Sequence, residues 1–195
     1  MNNKRYSGYI IGGIVILLAI YLIVTYNSLV KKDENVKLQW NEVQNTYQRR
    51  LDLVPNLVNV VKGGADYEQT TLQQLVEARS KAASVNVSGD LSADKYNQQT
   101  AAQDELAGIA NRLMVTVEKY PDIKGTRAFN DLQVQLVGTE RRIKVARKNF
   151  NESIATYNTS VKGFPTKLVA GMFGFKPKEG FQSDSGTDKA VEIKF

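Results

Sequence analysis

The 195-residue sequence contains no cysteine and no histidine, and these two absences exclude most kinds of reactive centre. Without cysteine there is no disulfide framework, thiolate nucleophile or iron–sulfur cluster. Without histidine, the usual general base and the commonest transition-metal ligand are missing. Motifs for phosphate loops, dinucleotide binding and nucleophile elbows are also absent. Only lysine or carboxylate chemistry remains, so we predict no catalytic, cofactor-binding or metal-binding residues, no cofactor and no enzymatic activity.

Charge of one sign is not concentrated anywhere in the sequence. Lys and Arg number 26 and Asp and Glu number 20, which gives a net charge of +6. After Lys31 the signs alternate, which is typical of solvated helix faces, whereas a nucleic-acid binder shows a basic stripe with interleaved aromatics. We therefore expect no nucleic-acid partner and no small-molecule substrate. A basic membrane-proximal surface that meets anionic lipid remains open.

One long hydrophobic run is present near the N-terminus. Residues 8–25 read GYIIGGIVILLAIYLIVT, without a charged residue. About 20 helical residues cross the roughly 30 Å of hydrocarbon in a bilayer. The run is too long for a typical signal-peptide core, and no small-residue cleavage site follows it. We predict that residues 1–26 form a short arm and an uncleaved transmembrane helix whose partner is membrane lipid. Flanking lysines and arginines are balanced, so they do not fix the orientation.

Beyond residue 26, apolar residues recur at alternating gaps of four and three, which predicts long amphipathic helices. The first such seam comprises Val36, Trp40, Val43, Tyr47, Arg50, Val54, Leu57 and Val61. Either the Gly63-Gly64 pair ends this helix, or the helix continues with a kink at Pro55. A break at the glycines buries the seams better, so we expect that arrangement.

Three further helices are predicted after the break. The second, about residues 65–84, should bury Leu72, Leu75, Val76 and Ala83. The third, about residues 93–120, should bury Leu106, Ile109, Ala110, Leu113, Val117 and Tyr120. The fourth, capped by Asp122, should bury Phe129, Leu136, Ile143, Phe150 and Tyr157. The predicted fold class is all-α: a single N-terminal transmembrane helix followed, over residues 27–163, by an antiparallel four-helix bundle with long helices.

Charged residues interrupt the apolar seams at three positions: Arg50, Glu140 and Arg147. Four more lie close to a seam and could join them, namely Asp52, Glu77, Arg79 and Glu118. A carboxylate metal site of the di-iron type needs histidine ligands, which this sequence does not have. We predict instead that Arg50, Glu140 and Arg147 form a largely buried network with a structural role.

Residues 164–195 form an apolar and basic tail that is expected to be partly flexible. The tail contains Phe164, Leu168, Val169, Met172, Phe173 and Phe175, with lysines at 162, 167, 176 and 178 around them. If the fourth helix returns to the membrane, this segment lies at the membrane-proximal end. It could then contact the lipid interface or cap the open end of the bundle core.

Several sequence blocks resemble the LemA family of bacterial membrane-anchored proteins. They are YNSLV at 26–30, YQRRLDLVPNLVNVVKG at 47–63, YEQTTLQQLVEARSKA at 67–82, VEKYPDIKG at 117–125, FNDLQVQLVGTERRIKVARKNFNESIATYN at 129–158 and GFPTKLVAGMFGF at 163–175. The resemblance implies an antiparallel four-helix bundle with no established biochemical activity. It also implies a short outside N-terminus and a cytoplasmic bundle, and it supplies no catalytic residue.

Two functions from different classes of binding protein remain open. One is a membrane-tethered interaction or scaffold module that presents its helical bundle to a protein partner. The other is an accessory or sensor subunit of a larger membrane complex, packed through Gly8, Gly12 and Gly13. The Gly8-x-x-x-Gly12 spacing permits close approach of two membrane helices. An enzyme that uses lysine or carboxylate groups is the least favoured class.

Overall fold

The computed structural model describes residues 3–63, 69–85 and 92–181, and all regular structure in these ranges is helical. The helices are α1 (Asn3–Lys62), α2 (Gln69–Ser84), α3 (Ala93–Val117), α4 (Pro121–Lys124), α5 (Arg127–Lys162) and α6 (Thr166–Met172). The all-α class expected from the sequence is therefore confirmed. Residues 182–195, where the flexible part of the tail was expected, lie outside the described residues.

Helix α1 carries the apolar run and then continues without interruption into the first amphipathic seam. Side chains of the run are exposed around the helix: Ile16 is 62%, Leu17 is 67% and Ile20 is 53% exposed. An apolar surface of this kind is not covered by the rest of the described chain, and its length and composition make it a candidate membrane span.

The break expected at the glycine pair is present. Helix α1 ends at Lys62 and Gly63 lies in a turn, whereas Gly64 falls outside the described residues. Helix α2 packs alongside α1. This packing is shown by a 2.9 Å hydrogen bond that the Arg79 Nε donates to the carbonyl oxygen of Leu51. In one unbroken helix these residues would be about 42 Å apart. Pro55 lies inside α1 and is exposed, so it does not end the helix.

The chain divides into two compact units, and α1 and α5 each contribute residues to both. The first unit contains the described residues of 1–40 and 150–178, and the second contains those of 41–149 and 179–195. In the first unit, the Trp40 and Phe150 rings pack 5.2 Å apart, and both side chains are buried. In the second unit, apolar residues of α1, α2, α3 and α5 share one core, which includes Leu57, Leu75, Leu106, Leu113 and Leu136.

The residues predicted to be buried on α1, α3 and α5 are buried, except Tyr120, which lies beyond the end of α3 at Val117 and is only half-buried. The face of α2 also differs from the prediction. All eight seam residues of α1 are buried. On α2, Leu72 and Leu75 are buried as expected, whereas Val76 is 52% exposed and Ala83 is also exposed. Hydrophobicity alone predicts that Val76 is buried. The smaller side chains of Ala78 and Ala82 are buried instead, because they let α2 approach the neighbouring helices more closely.

The start of the fourth long helix also differs from the prediction. Asp122 does not cap it, because Pro121–Lys124 form the separate short helix α4. Helix α5 begins at Arg127, and the Thr126 side-chain oxygen accepts a 3.2 Å hydrogen bond from the Phe129 backbone N–H. This is the bond that an N-cap residue makes to the N3 position, so Thr126 is the cap.

Candidate functional site

Arg50, on α1, is the most deeply buried charged residue in the described part of the chain, with 2% exposure. Its Nε and Nη2 atoms donate to the two carboxylate oxygens of Glu140 on α5, at 2.9 and 2.5 Å. Its Nη1 donates to the backbone oxygen of Gln103 on α3 at 2.8 Å. The Glu140 side chain is 41% exposed, so one partner of this pair reaches solvent. The guanidinium of Arg50 thus bonds α5 at two points and α3 at a third, and these contacts fix the orientation of the three helices around it.

Arg147 does not belong to this cluster, so the prediction of one three-member network is wrong. Its Nε donates to the Tyr47 hydroxyl at 2.8 Å, and its Nη2 donates to Asp104 Oδ1 at 2.9 Å. Seven helical residues separate Glu140 from Arg147 by about 10 Å, which is too far for a direct ion pair. Burial alone would lower the pKa of Arg147, but Tyr47 and Asp104 raise it, so the side chain stays charged.

The four neighbouring candidates do not assemble a site around Arg50. Arg79 bonds the backbone of α1, as described above, and Asp52 accepts a 2.8 Å hydrogen bond from Gln48. Glu77 lines a separate groove with Val58 and Gln73, and Glu118 is exposed. Within the described ranges, no group of three or more carboxylates is placed to hold a metal ion. Among these four residues, only Arg79 joins two of the described helices, as Arg50, Glu140 and Arg147 do.

Two buried glutamines on α3 complete these contacts and were missed by the sequence analysis. Gln99 and Gln44 exchange hydrogen bonds of 2.7 and 2.8 Å, and Gln103 accepts from Arg50 through its side-chain oxygen at 3.1 Å. Gln99 and Gln103 are 4% and 0% exposed. A signal for them exists, because they continue the seven-residue spacing of Leu106 and Ala110 towards the start of α3.

A shallow apolar groove of about 220 Å³ opens between α3 and α5, with Arg50 and Glu140 in its lining. Two of its valines are largely accessible: Val115 is 68% and Val137 is 47% exposed. Exposed apolar residues that adjoin a groove are typical of surfaces that bind other proteins.

In the first unit, the C-terminal segment is held against α1 and α5 at Lys178. The Asn158 side chain makes two hydrogen bonds with the Lys178 backbone, donating to its carbonyl oxygen at 2.7 Å and accepting from its N–H at 2.8 Å. The Lys178 ammonium lies 3.0 Å from Asp33 Oδ1 and 5.4 Å from the Tyr157 ring centroid. Five residues earlier, Phe173 contacts Tyr26 with ring centroids 4.8 Å apart. The segment therefore follows α1 away from the end of the apolar run.

The Asp33–Lys178 contact should weaken at acid pH. Burial alone would raise the pKa of Asp33, but hydrogen bonds and charges from Lys178 and Lys37 lower it below its usual 3.8. A carboxylate with a lowered folded-state pKa stabilises the fold above its unfolded pKa, and this contribution is lost as the pH falls through the folded value. We expect Asp33→Asn to cost roughly 1 kcal/mol in unfolding free energy at pH 7. The difference from wild type should begin to shrink as the pH falls below about 4, near the unfolded pKa, and should vanish only below the lowered folded pKa.

Denaturant unfolding of the full chain in detergent, at several pH values, measures this difference. Glu34→Gln is the matched control, because Glu34 is 63% exposed and pairs with Lys37 alone among the ion pairs described. A cost for Asp33→Asn that stays constant from pH 7 to pH 3 would show that the carboxylate charge is not what holds Lys178.

Comparison with known proteins assigns a family model to most of the chain. The model, described as the LemA family, matches residues 39–195. Magnetosome protein MamQ of Magnetospirillum gryphiswaldense is 26% identical over 188 residues, covering 87% of this chain and 69% of that protein. Magnetosome protein MamQ 2 of Paramagnetospirillum magneticum is 24% identical with the same coverage. Protein LemA of Metamycoplasma hominis is 22% identical over 144 residues, covering 74% of this chain and 63% of that protein. The family match begins within α1 and includes every later helix described above.

Proposed function

The chain belongs to the LemA family, and from this premise we propose that it is a membrane-anchored helical protein that acts as a non-catalytic interaction or scaffold module. The observation that carries the proposal is α1, in which one helix has an exposed apolar run of membrane-spanning length and then a fully buried seam. Residues 1–26 serve as arm and anchor, residues 27–163 as the interacting helical part, and residues 164–195 as a tail.

We also propose that α1, α2, α3 and α5 form an antiparallel four-helix bundle. The order of their contacts supports this topology. Along α1, Tyr47 and Arg50 contact Thr100 and Gln103, so the numbers rise together and α3 is parallel to α1. The same two residues contact Arg147 and Glu140, so the numbers run in opposite directions and α5 is antiparallel to α1. Helix α2 follows the turn at Gly63 and also runs antiparallel to α1.

A non-catalytic role is supported by the use that the fold makes of its charged residues. Arg50 and Arg147 direct their donors to partners within the chain, which holds them in structural contacts. The names of the relatives reported above denote no enzymatic activity. We propose membrane lipid and an unidentified protein as the partners, and neither a nucleic acid nor a small-molecule substrate.

We propose the cell membrane as the location, with the helices beyond α1's apolar run on the cytoplasmic side. Exposed lysines near the end of that run support this placement, namely Lys31, Lys162, Lys167 and Lys176. The cytoplasmic leaflet is the more anionic one, so it attracts basic residues held close to its surface.

The second candidate function is an accessory or sensor subunit whose partner lies in the membrane. Gly8, Gly12 and Gly13 favour it, because a Cβ atom built on each would meet, apart from the adjacent backbone of α1 itself, no atom of the described residues within 4 Å. The glycine face is therefore free to pack against another membrane helix.

Site-specific photo-crosslinking in native membranes separates the two candidates. A photoreactive residue at Val115 or Val137 probes the groove between α3 and α5, and one at Gly12 probes the membrane face. Val76 on α2 is the matched control, because this valine is 52% exposed and lies outside that groove. The interaction-module proposal predicts one discrete protein adduct from Val115 and Val137, absent from Val76 and Gly12.

An adduct from Gly12 alone would replace the leading proposal with the accessory-subunit function. Equal adducts from every position, or none from any, would contradict both. An adduct at Val115 with a protein that resides outside the cytoplasm would overturn the proposed cytoplasmic placement.

A further inference from the structure

Helix α6 and the residues around it lie beside the end of the apolar run of α1. The Phe173 and Phe175 rings contact Tyr26, with centroids 4.8 and 5.8 Å away. Tyr26 directly follows the uncharged run of residues 8–25. Because Tyr side chains favour the boundary between hydrocarbon and water, this contact places α6 at the level of the lipid headgroups when the run spans a bilayer.

One face of this segment is buried and the other exposes large apolar side chains. Val169 and Ala170 are buried, with 2% and 1% exposure. Phe164 is 85%, Leu168 is 67% and Met172 is 61% exposed, and these three residues recur every fourth position. Of the two roles that the sequence left open, the buried face fits capping of the core, and the exposed face is the one available for lipid contact. Val169 and Ala170 pack inward, whereas Phe164, Leu168 and Met172 have no cover in the described part of the chain.

Basic residues surround the exposed apolar face. Lys162, Lys167 and Lys176 are all exposed, and Lys31 is exposed on the adjacent stretch of α1. The nearest carboxylate on that stretch, Asp33, is already paired with Lys178 and Lys37. Apolar side chains with lysines around them are the pattern of segments that lie in the interface of an anionic membrane.

We propose that Phe164, Leu168 and Met172 insert into the headgroup region of the leaflet from which α1 emerges, while the surrounding lysines contact anionic phospholipid. This second membrane contact rests on the proposed anchoring by residues 8–25. It would hold the first unit against the bilayer surface at two places, because a single helix leaves a protein free to tilt and rotate.

Spin labels placed in the full chain, reconstituted into bilayers that contain anionic phospholipid, test the proposal. The chain has no cysteine, so each introduced cysteine gives one labelled site. Leu168→Cys and Met172→Cys probe the exposed face, Leu17→Cys probes the span, and Val134→Cys is the control, because Val134 is 72% exposed on α5. At each site, collision rates are measured with oxygen, which concentrates in lipid, and with a water-soluble nickel complex.

The proposal predicts that labels at Leu168 and Met172 have a high oxygen rate and a low nickel rate, as at Leu17 but at shallower depth. The label at Val134 should show the reverse. Replacing anionic by zwitterionic lipid should lower the oxygen-to-nickel ratio at Leu168 and leave it unchanged at Leu17. Substituting Lys162, Lys167 and Lys176 by glutamine should have the same effect.

Three results would overturn the inference. A high nickel rate at Leu168 would show that the face is in water. Low rates for both reagents would show that protein, such as a second copy of the chain, covers it. An oxygen-to-nickel ratio at Leu168 that changes neither with lipid charge nor with the lysine substitutions would show that anionic lipid does not bind this face. In each case a deep label at Leu17 would leave the anchor intact, whereas a water-exposed label at Leu17 would contradict the proposed function itself.

Discussion

Glu140→Ala should lower the unfolding free energy of the full chain by about 3 kcal/mol, at the low end of the range for breaking a buried ion pair. The cost arises because the substitution leaves the Arg50 guanidinium buried without its anion, while the Arg50 side chain is only 3% exposed. It lies at the low end because the Glu140 side chain is 41% exposed, so water can replace part of the carboxylate. Denaturant unfolding followed by circular dichroism measures the difference.

A matched control lies on the same helix. Asp131 pairs with Arg127 at 3.7 Å, and their side chains are 65% and 94% exposed. Asp131→Ala should therefore change stability by no more than about 0.5 kcal/mol. The double substitution of Arg50 by Met and Glu140 by Leu should cost less than Glu140→Ala, because it removes both charges. If Glu140→Ala costs no more than Asp131→Ala, the pair is not a determinant of stability.

The second large effect is expected in the apolar run. Replacing both Leu17 and Leu18 by arginine should raise the free energy of membrane insertion by about 6 kcal/mol, since each charge at the centre of a span costs roughly 3 kcal/mol. Nothing in the described fold covers these residues, which are 67% and 56% exposed, so the helical units should remain folded. The measurement is the fraction of the chain that stays in the membrane pellet after alkaline extraction.

The control for this variant replaces Leu17 and Leu18 by valine, which keeps the run apolar and should keep the chain in the pellet. The arginine variant should move to the supernatant with an unchanged helical spectrum in detergent. If it stays in the pellet as firmly as the valine variant, residues 8–25 are not what anchors the chain.

The helical segments and their buried faces could be predicted from the sequence wherever the seven-residue spacing of apolar residues was sustained. The α1 seam from Val36 to Val61 and the α5 row from Phe129 to Tyr157 are buried as predicted. On α2, which is only 16 residues long, the spacing predicts the wrong buried residues. Close helix packing buries the small Ala78 and Ala82 and leaves the more hydrophobic Val76 exposed. Short helices contain too few turns for the pattern to outweigh local packing.

Side-chain partners could be predicted only in part. The pairing of Arg50 with Glu140 follows from two charges of opposite sign on facing seams. That Arg147 binds Tyr47 and Asp104 depends on how far each helix is rotated, which periodicity along one helix does not specify. The contact of Asn158 with the Lys178 backbone gives no sequence signal, since any residue has the same backbone groups.

The central claim is that the apolar run of α1 holds this protein in a membrane while its other helices form a packed, non-catalytic part outside the hydrocarbon. Alkaline extraction of native membranes that contain the unmodified chain tests the claim most directly, because high pH releases peripheral proteins and leaves membrane-spanning ones in place. The account predicts that the chain remains in the pellet and enters solution only with detergent. Release of the unmodified chain by alkali alone would contradict it.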